Sequence, residues 1–223
     1  MTSELLLGVA GPSSAAIPDE FQNTLDAGIQ SLILLSDVMN LCFQPAEEDP
    51  GAPRALSSGL LSESLVGKWE ALLNRLLEWH AQRPTEHQAV MEVEHRDTSF
   101  PFILFTSNAG VAANTVHHTA MLLLLTHKPR TVTLAGRPTT AGAAQLSPLW
   151  QARRVCGIAL SSDPEHTRCW DPCMIAAFSL AARRMTHPAQ QTELLACLER
   201  LGSVGWRIDG LARSWREEWG IGW

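Results

Sequence analysis

The sequence contains no tyrosine, and its five cysteines are an odd number spread over 223 residues. A disulfide-stapled secreted scaffold is therefore not expected, and the prediction is an intracellular protein of the nucleus or cytoplasm. A basic surface is also missing, because 17 Lys and Arg stand against 23 Asp and Glu, which gives a formal net charge of −6. Since phosphate binding needs positive charge, we expect no direct binding of DNA.

Long apolar runs are absent as well. The longest, Ala120 to Leu125, lies between His118 and His127 and is far shorter than the ~20 residues that cross a bilayer. The early Leu5-Leu6-Leu7 follows an acid, where a secretory signal would carry Lys or Arg. We therefore expect a soluble chain without an export signal or a membrane span.

The composition is that of an ordinary globular protein, with 45% apolar and 18% charged residues. Two stretches rich in Pro, Gly, Thr or acids, about 44–59 and 135–145, are typical of linkers. Neither is able to build a core of its own. The prediction is a single helical domain over residues 1–223.

Between these linkers the apolar residues recur at helical spacing. We predict helices after Pro18 to near Cys42, from about Leu60 to Gln82, and from Phe102 to His127, then another after Leu146 and two amphipathic ones that contain Leu194 and Trp215. Three further helix starts are indicated by proline at the first helical position, at Asp163-Pro164, Asp171-Pro172 and His187-Pro188. The fold class is therefore all-α, an irregular bundle of about seven helices.

The sequence offers few residues for metal or catalytic chemistry. Cys169 and Cys173 are four residues apart, but no second cysteine pair completes a tetrahedral zinc site, so we predict no metal and no cofactor. The familiar nucleophile, dinucleotide, phosphate-loop and zinc-protease motifs are absent. His117 and His118 are adjacent, so their rings point to different sides of a helix. His118 lies on the apolar stripe, where a histidine is usually a hydrogen-bonded core residue and less often an acid or base in a pocket.

Several segments, taken in order, resemble the C-terminal half of the fungal-specific transcription factor domain, the helical regulatory region of zinc-cluster transcription factors. They are Gln151 to Leu160, Cys169-Trp170-Asp171-Pro172, Met185 to Pro188, Gly205 to Ile208 and Trp215 to Gly220. His117 to Leu125 is similar to the long central helix of that domain. The six clustered cysteines of the family's zinc cluster are missing, because Cys42 is the only cysteine before residue 150.

Two functional hypotheses follow. The resemblance implies a regulatory domain without a DNA-binding module, which binds a protein partner or a small effector, with a homo- or heterodimer left open. The alternative is an enzyme of fungal secondary metabolism, a cyclase or pericyclase acting on an apolar small molecule. Its candidate residues are His117 or His118 as proton donor or base, Asp171 as their electrostatic partner, and Trp69, Trp150 and Trp170 as the walls of the pocket.

Overall fold

The computed structural model describes residues 19–43, 54–94, 98–134, 142–162 and 170–221, without the side chains of 20, 21, 54–63 and 143. Seven α-helices lie in these ranges, which confirms the predicted all-α bundle. They are α1 (Asp19–Phe43), α2 (Arg54–Gln82), α3 (Asn108–Thr126), α4 (Pro148–Ser161), α5 (Pro172–Ala182), α6 (Pro188–Ser203) and α7 (Asp209–Trp219). Two short 3-10 helices, Thr85–His87 and Ala143–Leu146, precede α3 and α4.

Helix α3 is the central element of the bundle. Fifteen of its 19 residues are buried, and it contacts α1, α2, α4 and α5. One core cluster lies between α1, α2 and α3, with Trp69 and Leu73 at its centre. A second cluster joins α4 to α7 and contains Phe178 and Trp215. A helix buried on nearly all sides in this way has neighbours all round it.

A short antiparallel hairpin is the main departure from the predicted elements. Strands β1 (Met91–Val93) and β2 (Phe102–Leu104) pair with Met91 opposite Leu104 and Val93 opposite Phe102. The prediction of a helix beginning at Phe102 is therefore wrong, since α3 begins at Asn108. Its N-cap is Ser107, whose side chain accepts the Gly110 N–H, and the aromatic and β-branched residues before that cap favour a strand.

Helix α2 begins earlier than predicted. It starts at Arg54, directly after Pro53, and so includes part of the stretch predicted as a linker. Serine and glycine within a helix cost at most about 1 kcal/mol each, which the rest of a 29-residue helix offsets. Residues 44–53 and 135–141 of the two predicted linkers lie outside the described residues.

Two of the three predicted proline helix starts are confirmed. Asp171 caps α5 by accepting the Met174 N–H at 2.7 Å, and Pro172 is the first helical residue. His187 caps α6 in the same way, with its ring nitrogen accepting the Ala189 N–H at 3.3 Å. The third start, Asp163-Pro164, lies outside the described residues, as does Cys169.

Candidate functional site

A stack of aromatic rings surrounds the two adjacent histidines of α3. The His117 ring lies between Trp79 and His80 of α2, with centroids 4.9 and 5.1 Å away. The His118 ring meets Trp150 of α4 edge-on at 5.9 Å. Both histidines are buried, and their ring contacts join helices α2, α3 and α4 at this point of the bundle.

Hydrogen bonds fix the tautomer of His118. Its Nδ1 lies 2.7 Å from Oε1 of the buried Gln151, whose Nε2 donates to the Gln145 carbonyl at 2.6 Å. Because Oε1 only accepts, Nδ1 of His118 carries the proton and donates it to Gln151. By contrast, Nδ1 of His117 is buried without a hydrogen-bond partner among the described residues.

Burial keeps these histidines neutral. Together with the charges of Arg83 and Arg154, it lowers the pKa of His80 to about 4. Burial also holds the pKa of His117 and of His118 well below 6.5, with neighbouring histidines and Arg154 acting in the same direction. Neutral imidazoles packed between rings suit a structural role, and each would also serve as a base if a substrate reached it.

An ion pair lies next to the aromatic cluster, beside Trp150. Arg154 makes a bidentate contact with Glu92 of β1, with Nη2 donating to Oε2 at 2.6 Å. The guanidinium also lies 4.8 Å from the centre of the Trp150 ring. Arg154 is nearly buried, and its hydrogen bonds lower the pKa of Glu92. This pair ties the hairpin to α4.

An apolar groove lies elsewhere, between α1, α3 and α5. It consists of two adjoining depressions of about 250 and 260 Å³ that share Leu32, Ala112 and Val116. Leu35, Met39 and Leu180 line the first, and Leu25, Ile29 and His87 line the second. Ligand pockets in proteins are usually larger, roughly 300–1,000 Å³, and enclose most of the ligand. Because both depressions are open to the surface, they suit side chains of an occupant that lies across them.

The two histidines do not face this groove. At 3.6 residues per turn, Ala112, Thr115, Val116 and Thr119 lie on one side of α3, and His117 and His118 lie on other sides. Asp171 lines the groove, and one of its carboxylate oxygens accepts the hydrogen bond that caps α5. The structure thus brings His117, His118 and Trp150 together, whereas Asp171 lies apart from them, at the apolar groove.

The other two predicted tryptophans fill the cores. Trp69 is 1% exposed and donates its Nε1 proton to the Leu124 carbonyl at 2.8 Å. Trp170 is buried, donates to the Ser162 carbonyl and meets Phe178 edge-on at 5.5 Å. Neither ring lines the apolar groove. Sequence reasoning missed the partners of the histidines, Trp79 and His80, because only tertiary packing brings α2 beside them.

Helix α1 presents a second apolar face to the outside. Its inner face is buried through residues such as Leu34 and Val38. On the other side six large apolar side chains are 44–57% exposed, and we call them the α1 outer face: Leu25, Ile29, Leu32, Ile33, Met39 and Phe43. The periodicity of the sequence shows these residues on a helix, but it gives no signal that one side lacks a neighbour.

The described residues hold no group of three or more His, Cys, Asp or Glu arranged to bind a metal ion. By length and composition alone, one helix, Gln22–Phe43, is apolar enough to cross a membrane. This is weak evidence, because a core helix of a soluble protein and a signal sequence meet the same criterion. Comparisons with family models, with curated proteins and with solved structures gave no match to the chain.

Proposed function

We propose that the chain is a helical regulatory domain of the fungal transcription-factor type, without a DNA-binding module of its own, which acts by binding a protein partner. The α1 outer face is the observation that carries this proposal. Monomeric proteins rarely expose a contiguous apolar surface of this kind unless it meets a partner, a ligand or a membrane. Six half-exposed apolar side chains on one helix face provide such a surface.

The resemblance supports the proposal in a second way. Where the structure describes them, the segments that resemble the fungal-specific transcription factor domain lie in α4, at the starts of α5 and α6, between α6 and α7, and in α7. These elements share one core cluster that includes Ile158, Phe178 and Trp215. The resembling residues therefore belong to one packed unit.

The enzyme alternative, a cyclase or pericyclase, has less support. His117 and His118 are packed against Trp79, His80 and Trp150 and point away from the apolar groove. A substrate lying in that groove would be separated from both imidazoles by the body of α3. Asp171, the suggested electrostatic partner, lies on the groove side.

Tethering tests the proposed function directly. The full chain is fused to a heterologous DNA-binding domain and expressed with a reporter gene in a fungal host. We expect reporter output to change at least about threefold, and we expect Leu32→Ser to abolish the change because it places a polar group on the α1 outer face. Leu149→Ser is the matched control, since Leu149 is an equally exposed leucine on α4. An unchanged reporter, or equal effects of the two variants, would overturn the proposal.

A further inference from the structure

We infer that the α1 outer face and the adjoining groove bind an amphipathic helix of a partner protein whose apolar stripe is flanked by Lys or Arg. This inference rests on the proposed function and names the chemistry of the partner. Three observations support it: the spacing of the exposed residues, the shape of the groove and the charges along its edges.

The spacing matches that of a helix-helix interface. Five residues of the α1 outer face, Leu25, Ile29, Leu32, Met39 and Phe43, follow one another at alternating steps of four and three when the exposed Ser36 is included. This is the spacing by which one helix packs along another, with Ile and Leu at the contact positions. From Leu25 to Phe43 the face is about 27 Å long at 1.5 Å per residue, so it accommodates a partner helix of about five turns.

The groove supplies holes beside this face. Its two depressions are separated along α1 by Leu32, which lines both of them. The walls are small or apolar residues of α3 and α5, such as Ala112 and Ala177. A helix lying on α1 would direct successive apolar side chains into the two depressions, which is the helix-in-groove mode of recognition.

The edges of the groove are acidic. Glu86 lies beside Thr24, which lines the second depression, and Asp171 lines the first at the start of α5. Asp26 lies on the side of α1 that faces α2, in a separate depression that Arg75 and Arg83 also line. All three are exposed, and none forms an ion pair within the described ranges. No Lys or Arg lines either depression. A partner helix with basic flanks would find Glu86 and Asp171 beside the two depressions and Asp26 across the α1 outer face.

The same charges argue against three other occupants. A second copy would bring α1 against α1, and residues 1–53 contain eight acids and no Lys, Arg or His, so no ion pair forms across such a contact. Helices that lie on membranes are usually rich in Lys and Arg, which α1 lacks. Residues 1–18 of the chain itself carry one acid and no base, so they lack the complementary charge.

A pair of model peptides tests the inference with the full chain. Both are helical, about 21 residues long, with leucine at the contact positions; one has Lys and the other Glu at the flanking positions. Fluorescence anisotropy at ~0.1 M salt gives the two dissociation constants. We expect the Lys peptide to bind at least about tenfold more tightly, and this preference to shrink at ~1 M salt.

Variants of the chain locate the binding surface. Leu32→Ser should weaken binding of the Lys peptide about tenfold or more, whereas the control Leu149→Ser should leave it within about twofold. Asp26→Lys with Glu86→Lys should reverse the preference toward the Glu peptide. Glu193→Lys with Glu217→Lys, which makes the same change of net charge on exposed residues of α6 and α7, should not. Circular dichroism checks that each variant keeps its helix content.

Four results would overturn the inference. They are equal binding of the two peptides, binding that survives Leu32→Ser, self-association of the chain in sedimentation that Leu32→Ser abolishes, and binding to neutral or anionic phospholipid vesicles that Leu32→Ser abolishes. Failure here is distinguishable from failure of the proposed function. Peptide binding without any reporter effect would refute only the function, and a reporter effect that depends on Leu32 without the charge preference would refute only the inference.

Discussion

At the scale of single residues, the buried histidines make the stability of the protein depend on pH. An unfolded histidine has a pKa of about 6.5, whereas burial lowers the pKa of His80 to about 4 and that of His117 and His118 well below 6.5. Between these pKa values the unfolded state binds more protons than the folded state. The free energy of unfolding therefore decreases as the pH falls.

We therefore expect the contribution of these histidines to the free energy of unfolding to be fully present above about pH 6.5 and to decrease progressively toward pH 4. His80 alone contributes a loss of about 2 kcal/mol between pH 7 and pH 5. Urea denaturation at a series of pH values measures the slope. His117→Phe keeps the ring contact with Trp79 and removes one titrating group, so it should flatten the slope. An equal slope for His117→Phe and the unchanged protein would contradict this expectation.

The ion pair between Arg154 and Glu92 leads to a second prediction at this scale. Glu92→Gln leaves a nearly buried guanidinium without its counter-charge, and we expect a loss of about 1–3 kcal/mol in the free energy of unfolding. The neighbouring pair of Arg153 with Glu94 is more exposed, so Glu94→Gln should cost less than about 1 kcal/mol. Chemical denaturation compares the two. Equal losses would show that burial does not set the strength of the first pair.

At the scale of elements, α4 packs very closely against Pro101, the residue before β2. A Cβ placed on Gly157 would lie 2.4 Å from the Pro101 carbonyl oxygen and 2.9 Å from its ring. Only a residue without a side chain allows α4 to lie against the hairpin at this distance.

Gly157→Ala should therefore destabilise the protein by about 1–3 kcal/mol, because the backbone must move to admit one methyl group. Gly202→Ala is the matched control within α6, where the added Cβ meets no atom within 4 Å. It should raise stability by about 0.5–1 kcal/mol, since alanine is the better helix former. Thermal unfolding followed by circular dichroism measures both, and a neutral Gly157→Ala would show that α4 and the hairpin are not in close contact.

The elements also show what sequence patterns can predict. Helices α5 and α6 were predictable because a capping residue followed by proline has a local physical effect. The hairpin is not predictable in this way, because strands of three residues leave little periodicity beside the helical spacing that runs from Val111 to Leu125. The cluster around His117 and His118 depends on α2 lying beside α3, which no local pattern specifies.

At the scale of the whole molecule, the packed interior of the bundle differs from the surface around α1. Its interior is filled by two cores and by the packed histidines, and its outside carries the α1 outer face with the apolar groove beside it. The periodicity of α1 was readable from the sequence, but its exposure was not, because only the assembled bundle shows which side lacks a neighbour.

Photo-crosslinking inside fungal cells tests the central claim that the α1 outer face contacts a protein. Leu32 or Leu149 is replaced by p-benzoylphenylalanine, and crosslinked products are identified by mass spectrometry. If the proposed function holds, we expect position 32 to crosslink to a helical segment of a transcription factor or co-regulator with Lys or Arg beside its apolar stripe, and position 149 not to. Crosslinks from position 32 only to a second copy of the chain or to lipid, or the same products from both positions, would contradict it.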